Sequence, residues 1–144
     1  MKITRESDYA LRIMRCLAVK GKLTDAKTVS EEARVPLRFT IKILSKLVNG
    51  NVVKSRKGVN GGYALNGAPK DISMRMIIEI IEGPLTISPC LSDDFKCEHD
   101  GCDGECSCFY NHVFDDINYI ISEKLDKISL KDVVAGSSGG QKHD

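Results

Sequence analysis

Five of the six cysteines, Cys90, Cys97, Cys102, Cys106 and Cys108, fall within 19 residues of one another, spaced Cys-x6-Cys-x4-Cys-x3-Cys-x-Cys. Soft thiolates select zinc, copper(I) or iron–sulfur clusters. Paired CxxC knuckles, the mark of structural zinc, are absent. In a reducing compartment such a group of thiols points to metal or redox chemistry rather than to a disulfide framework. Wide spacing in a glycine-bearing loop ahead of a long helical stretch suits a cluster held between helices and partly exposed. On spacing alone, a zinc site or a loop of free thiols stays open. His99 and His112 are further ligand types, though histidines beside charged loop residues are commonly solvated. Cys16 sits apart in an apolar helical pattern and reads as a small packed hydrophobe.

A second chemistry lies in the cations. Residues 1–70 carry 15 Lys and Arg against 5 Asp and Glu, whereas residues 71–144 carry 6 against 15, so the net charge of +1 conceals two opposed halves. A basic half suits a polyanion, because each neutralised phosphate releases condensed counterions. The asymmetry does not separate DNA from RNA or anionic lipid, and unevenly spread solubility charge would look the same. The composition, 42% hydrophobic and 28% charged, excludes a disordered or collagen-like chain. No apolar run approaches the roughly 20 residues that a membrane-spanning helix needs. The first residues, Met1-Lys2-Ile3-Thr4-Arg5-Glu6, lead into a charged amphipathic stretch without a secretory apolar region, so a cytoplasmic location is expected.

The elements that must position these groups follow from the hydrophobic period. Ala10, Ile13/Met14 and Leu17 have the spacing of an amphipathic helix over residues 5–19, ended by Gly21. Thr24 is the expected N-cap of a short second helix with Ala26, Val29 and Ala33 on one face. After a break at Arg34-Val35, Pro36 opens a third helix. Leu37, Ile41, Leu44 and Val48 are its expected buried stripe, with Phe39 and Ile43 also assigned to the core. Arg38, Lys42 and Ser45 share another face, and Asn49-Gly50 stops the helix. Val52-Val53-Lys54-Ser55 and Tyr63-Ala64-Leu65 read as two strands around a glycine turn at residues 58–62. Ser73 caps a fourth helix carrying Met74, Ile77, Ile78 and Ile81 inward, ended by Gly83-Pro84. A long helix from Cys108 to Lys127 bears Val113, Phe114, Ile117, Ile120, Ile121 and Leu125. That apolar surface is too broad for one small neighbour and predicts a partner chain. Ser129 could cap one last helical turn, and residues 136–141 read as a flexible tail.

Two short helices with a tight break, a basic helix face and a two-stranded hairpin make a helix-turn-helix with a wing. The fold class is therefore mainly α with a small β-hairpin wing, followed by a long C-terminal helix. Arg38, Thr40 and Lys42 would reach base edges and phosphates in the major groove. Lys54, Arg56 and Lys57 flank the hairpin tip, where Gly61 and Gly62 allow turn dihedrals and close approach to a minor groove. The competing readings are a solvated face for Arg38 and Lys42, and edge protection for Lys54.

Three segments together resemble the Rrf-two-type winged-helix regulators, a family with NsrR-like, IscR-like and CymR-like branches. They are Met1-Lys2-Ile3-Thr4 with Asp8-Tyr9-Ala10-Leu11-Arg12, the wing Arg56-Lys57-Gly58-Val59-Asn60-Gly61-Gly62-Tyr63, and the cysteines ahead of the long helix. The resemblance runs over about residues 1–134. It implies a homodimer joined through the helix at 108–127, and a [2Fe–2S] or [4Fe–4S] cluster on three loop cysteines. Cys90 takes the first ligand position and Cys108 the third. Cys97 is the preferred middle ligand, with Cys102 its close rival and Cys106 a further alternate. In NsrR-like members an aspartate near the N-terminus of the other subunit completes the site, and Asp8 holds that position here; an exposed helical carboxylate without a ligand role is the alternative. The IscR-like histidine position falls on Asn111, with His112 adjacent. Two features depart from the family pattern: five loop cysteines in place of three, and Lys57 where an arginine usually precedes the first wing glycine.

These readings divide the chain into a winged helix-turn-helix (1–85), a cysteine-rich cluster loop (86–107), a dimerisation helix (108–134) and a tail (135–144). The expected function is a dimeric transcription regulator, of repressor type, on a near-palindromic double-stranded DNA operator. An iron–sulfur cluster sensing nitric oxide, redox or iron–sulfur status would set its affinity. One rival is an iron–sulfur electron-transfer or carrier protein, which leaves the basic half unused. Another is a winged-helix regulator with zinc or free thiols that senses a small molecule. The 3 histidines form no arrangement with a nucleophile or carboxylate, so no enzyme is expected.

Overall fold

The computed structural model describes residues 2–98 and 108–136. In chain order the elements are α1 (Arg5–Lys20), α2 (Ala26–Ala33), α3 (Leu37–Asn49), β1 (Val53–Arg56), β2 (Gly62–Leu65), α4 (Met74–Glu82), α5 (Phe109–Asp126) and α6 (Leu130–Gly136). Single 3-10 turns lie at Pro69–Asp71 and Pro89–Leu91. The two strands pair antiparallel, with Val53 opposite Leu65 and Arg56 opposite Gly62. The architecture is the expected one, mostly helical with a hairpin wing.

Local chemistry sets most of the boundaries. Thr4 caps α1 by accepting from the Ser7 N–H, and Gly21 closes it in the left-handed region at φ 61°. Ser73 caps α4 by accepting from the Met76 N–H. The expected Thr24 cap is corrected. Asp25 caps α2, accepting from the Thr28 N–H at 3.0 Å. Thr24 is instead committed to the wing: its N–H and C=O both pair with Tyr63 at 2.9 Å.

The core gathers Ala10, Ile13, Met14 and Leu17 of α1 against Val29, Ile43, Leu44, Leu47, Ile77 and Ile81. Here too one expectation changes. The buried residues of α3 are Thr40, Ile43, Leu44 and Leu47, while Leu37 is 44% and Ile41 49% exposed. Two apolar stripes overlap on this helix, and packing against α1 and α4 selects the second. Phe39 goes with it, its ring 5.9 Å from that of Tyr9.

At the far end, α6 returns to the core instead of extending the long helix. Leu130 is 1% exposed, and its N–H donates to the Ile72 carbonyl at 2.8 Å. A reciprocal cap between Ser129 and Asp132 starts this helix. Leu130→Ala is expected to lower stability by about 2–5 kcal/mol, as for other buried leucines. Urea unfolding followed by circular dichroism measures this; a loss below about 1 kcal/mol would mean that α6 is not part of the core.

Glu82, at the end of α4, accepts from the Thr4 N–H at 3.1 Å, the Thr4 hydroxyl at 2.8 Å and the Ser7 hydroxyl. Burial pushes its carboxyl pKa up, but these donors outweigh burial and leave it below the ordinary value. The clip ties the first turn of α1 to the point where the cysteine loop departs.

Candidate nucleic-acid interface and cysteine pocket

The outer face of α3 presents Arg38, Lys42 and Ser45 to solvent. Arg38 lies over the Phe39 ring, 4.7 Å from its centroid. Lys42 is 59% exposed at its side chain and stands 3.3 Å from a Glu6 carboxylate oxygen. Thr40 does not belong to this face. It is fully buried, and its hydroxyl donates to the carbonyls of Val35 and Pro36 at 3.3 and 3.2 Å. Two residues from both Arg38 and Lys42, it lies roughly on the opposite side of the helix and faces the core, so no groove contact is assigned to it.

The wing carries Lys54, Arg56 and Lys57, all exposed. Gly61 is required at its tip, because a Cβ there would lie 2.1 Å from the Arg56 carbonyl oxygen. Gly62 lets the hairpin close onto the Thr24 backbone just before α2, since a Cβ there would meet the Thr24 carbonyl oxygen at 2.6 Å. Lys54 and Arg56 share a groove of about 620 Å³ with Lys22, from the turn after α1. Sequence reasoning missed Lys22, because nothing local says that this turn folds beside the wing. Together these cations form a band that a phosphate backbone can follow.

The acidic half builds a different site. Cys90, Cys97 and Cys108 line one pocket of about 770 Å³ with Pro89, Phe95 and Phe114. Cys90 sits in the 3-10 turn at Pro89–Leu91, with its sulfur 3.1 Å from the Ser88 hydroxyl. Cys108 is the residue immediately before α5. Two asparagines of α5 hold the loop against the helix. The Asn111 amide donates to the Cys90 carbonyl at 3.1 Å, and the Asn118 side chain accepts from the Ile87 N–H at 3.0 Å. Three thiols on a partly apolar wall are donors of the type that an iron–sulfur cluster takes. Among the described residues, however, no three His, Cys, Asp or Glu side chains stand close enough to hold one metal ion. Cys102, Cys106 and His99 lie outside the described residues. His112 is exposed on α5. Asp8 is on the first turns of α1, paired with Arg12 at 2.7 Å.

A family profile described as "Rrf2: Iron-dependent Transcriptional regulator" matches residues 3–136. The chain belongs to the Rrf2 family. The rrf2-like HTH-type regulator of Rhodobacter capsulatus is 32% identical, over 97% of this chain and 97% of that one. IscR of Aliivibrio salmonicida is 28% identical, over all of this chain and 83% of its own. Among solved structures, CymR of Bacillus subtilis, titled its global cysteine regulator, superposes with a TM-score of 0.75. It is 26% identical, over 94% of this chain and 97% of that one. The named relatives are transcriptional regulators and not enzymes, and this Rrf2 chain is a regulator of the same helix-turn-helix type. No helix among its described residues is long and apolar enough to cross a membrane.

Asn111 has a role that spacing did not reveal. From the start of α5 it holds the backbone of Cys90 through that residue's carbonyl. Only a residue that packs against the loop can do this, and the loop's path is not written in the helix's own period.

Proposed function

We propose that this regulator is a dimeric repressor whose operator affinity is set by an iron–sulfur cluster on Cys90, Cys97 and Cys108, with Asp8 of the partner subunit as fourth ligand. The observation that carries the proposal is the convergence of three cysteines, separated in sequence by 6 and 10 residues, on one pocket beside α5. Cys102 and Cys106 are the alternates for the middle position. When bound, the cluster would supply a centre that nitric oxide or oxygen attacks and that iron shortage leaves unassembled. The protein's own part is mechanical. Thiolate ligation would fix the loop at residues 86–107 against α5, through Cys90 and its Asn111 anchor. The direction of α5 in turn sets the separation of the two α3 helices, which must meet half-sites about 34–36 Å apart. A coupling of about 1–3 kcal/mol changes affinity by about 5–150-fold.

The dimer reading rests on α5. Tyr110, Tyr119 and Ile120 are each about two-thirds exposed, and Ser122 is its only buried residue among those described. Ile120→Glu is expected to leave the fold intact and yield a monomer in sedimentation velocity, with operator binding lost. A dimeric Ile120→Glu variant would remove α5 from the interface.

The decisive experiment is an absorbance spectrum with iron and sulfide assays on anaerobically purified protein, followed by DNA binding with and without the cluster. A second reading has its own observation: the described thiols do not close around a metal, which favours free thiols, and the fold superposes on CymR, titled a global cysteine regulator, with a TM-score of 0.75. It makes the chain a winged-helix regulator with zinc or free thiols. A colourless protein after anaerobic reconstitution would favour it.

A further inference from the structure

Glu6 occupies an unusual place for an acidic residue in a DNA-binding face. One carboxylate oxygen stands 2.8 Å from the Lys46 ammonium and 3.3 Å from that of Lys42, both on α3. The lysines are one helical turn apart, so a single carboxylate bridges them. The hydrogen bond to Lys46, above all, holds the Glu6 carboxyl below the usual range, with Lys42 adding to it, although burial works the other way. It is therefore charged at neutral pH. A first-turn glutamate also favours the α1 dipole, but that role does not require the carboxylate to reach across to another helix.

The geometry points to Glu6 as a positioning residue that sets DNA specificity: it stands in for a phosphate on the recognition helix and holds Lys42 away from non-operator DNA. The inference rests on the placement of α3 in the major groove. Non-specific complexes are held by cation–phosphate contacts alone. An exposed ion pair within the protein is of similar strength to one exposed phosphate contact, so Lys42 gains little by exchanging Glu6 for a phosphate. On an operator, tight docking of α3 supplies the additional contacts that draw Lys42 across. Its half-exposed side chain has the freedom to make that exchange. Lys46 is 35% exposed and sits nearer the carboxylate, so it keeps the pair anchored.

The test is binding to a 30-base-pair duplex of mixed sequence by fluorescence anisotropy, across a salt series. Glu6→Gln is expected to bind about fivefold to tenfold tighter near 0.1 M salt, with a log–log salt slope steeper by about 0.9, the signature of one added phosphate contact. Adding Lys42→Met to Glu6→Gln should remove most of that gain. Lys42→Met alone, which leaves α1 intact, should change mixed-duplex affinity by less than about twofold while weakening binding to an operator selected from a random pool. A purely structural role for Glu6 would lower stability without steepening the slope. If the wild type binds DNA but Glu6→Gln is no tighter and no steeper, the inference falls alone. It also falls if Lys42→Met loses more than about fivefold on the mixed duplex. A wild type that ignores DNA at every salt overturns the groove placement, and this inference with it.

Discussion

Cys90→Ala is expected to give a colourless, folded protein, with iron and sulfide at background and operator affinity changed by about 5–150-fold. The direction should match that caused by chemical removal of the cluster from the wild type. Cys90 is half-buried at the wall of the pocket, in a turn whose backbone is held by Asn111 and whose main chain does not need the thiol. Truncation therefore removes the proposed ligand atom and a sulfur–hydroxyl contact with Ser88 while leaving the loop's anchor on α5. A coloured variant with unchanged DNA affinity would remove Cys90 from the ligand set. Cys97→Ala, Cys102→Ala and Cys106→Ala, compared side by side, identify the middle ligand, because only one should share the Cys90→Ala phenotype.

Gly61→Ala is the second large effect, and it acts on DNA binding without touching the core. Its Cβ would sit 2.1 Å from the Arg56 carbonyl oxygen and 2.9 Å from both the Gly58 carbonyl oxygen and the Lys57 carbonyl carbon. All three are backbone atoms of the wing tip, so no side chain can yield to make room. The turn must open, breaking the Gly61 N–H bond to the Gly58 carbonyl and moving Arg56 and Lys57. Operator affinity should fall at least about tenfold, with a salt slope shallower by about one to two as the wing cations leave the phosphates. Thermal unfolding should change little, since residues 54–60 are exposed. Val59→Ala is the control, being fully exposed at the same tip, and should bind as the wild type does. Wild-type affinity and slope in Gly61→Ala would mean that the wing does not touch DNA.

Much of the architecture was legible in local chemistry. Gly21, Ser73 and Gly83 bound their helices as expected, because a cap is a contact between residues three or four apart. The hairpin followed from its glycines, although β1 runs Val53–Arg56, a residue later at each end than the sequence pattern implied. The charge polarity and the cysteine cluster were countable without any fold. What the sequence could not decide were contacts between residues far apart. The apolar pattern of α3 admits two stripes, and only the neighbouring helices choose the one that buries Thr40 and exposes Ile41. Thr24 has the chemistry of a cap, but pairing with Tyr63 claims its backbone. Asn111 reads as a polar helix residue until the loop bearing Cys90 lies against it. Glu6 and Lys42 are 36 positions apart, and only the crossing of α1 and α3 puts a carboxylate among the cations of the recognition face. Composition and short-range pattern specify which groups the chain carries and where its elements start and stop. The partners those groups find depend on how the elements pack, an outcome of burial summed over the whole core that no local window contains.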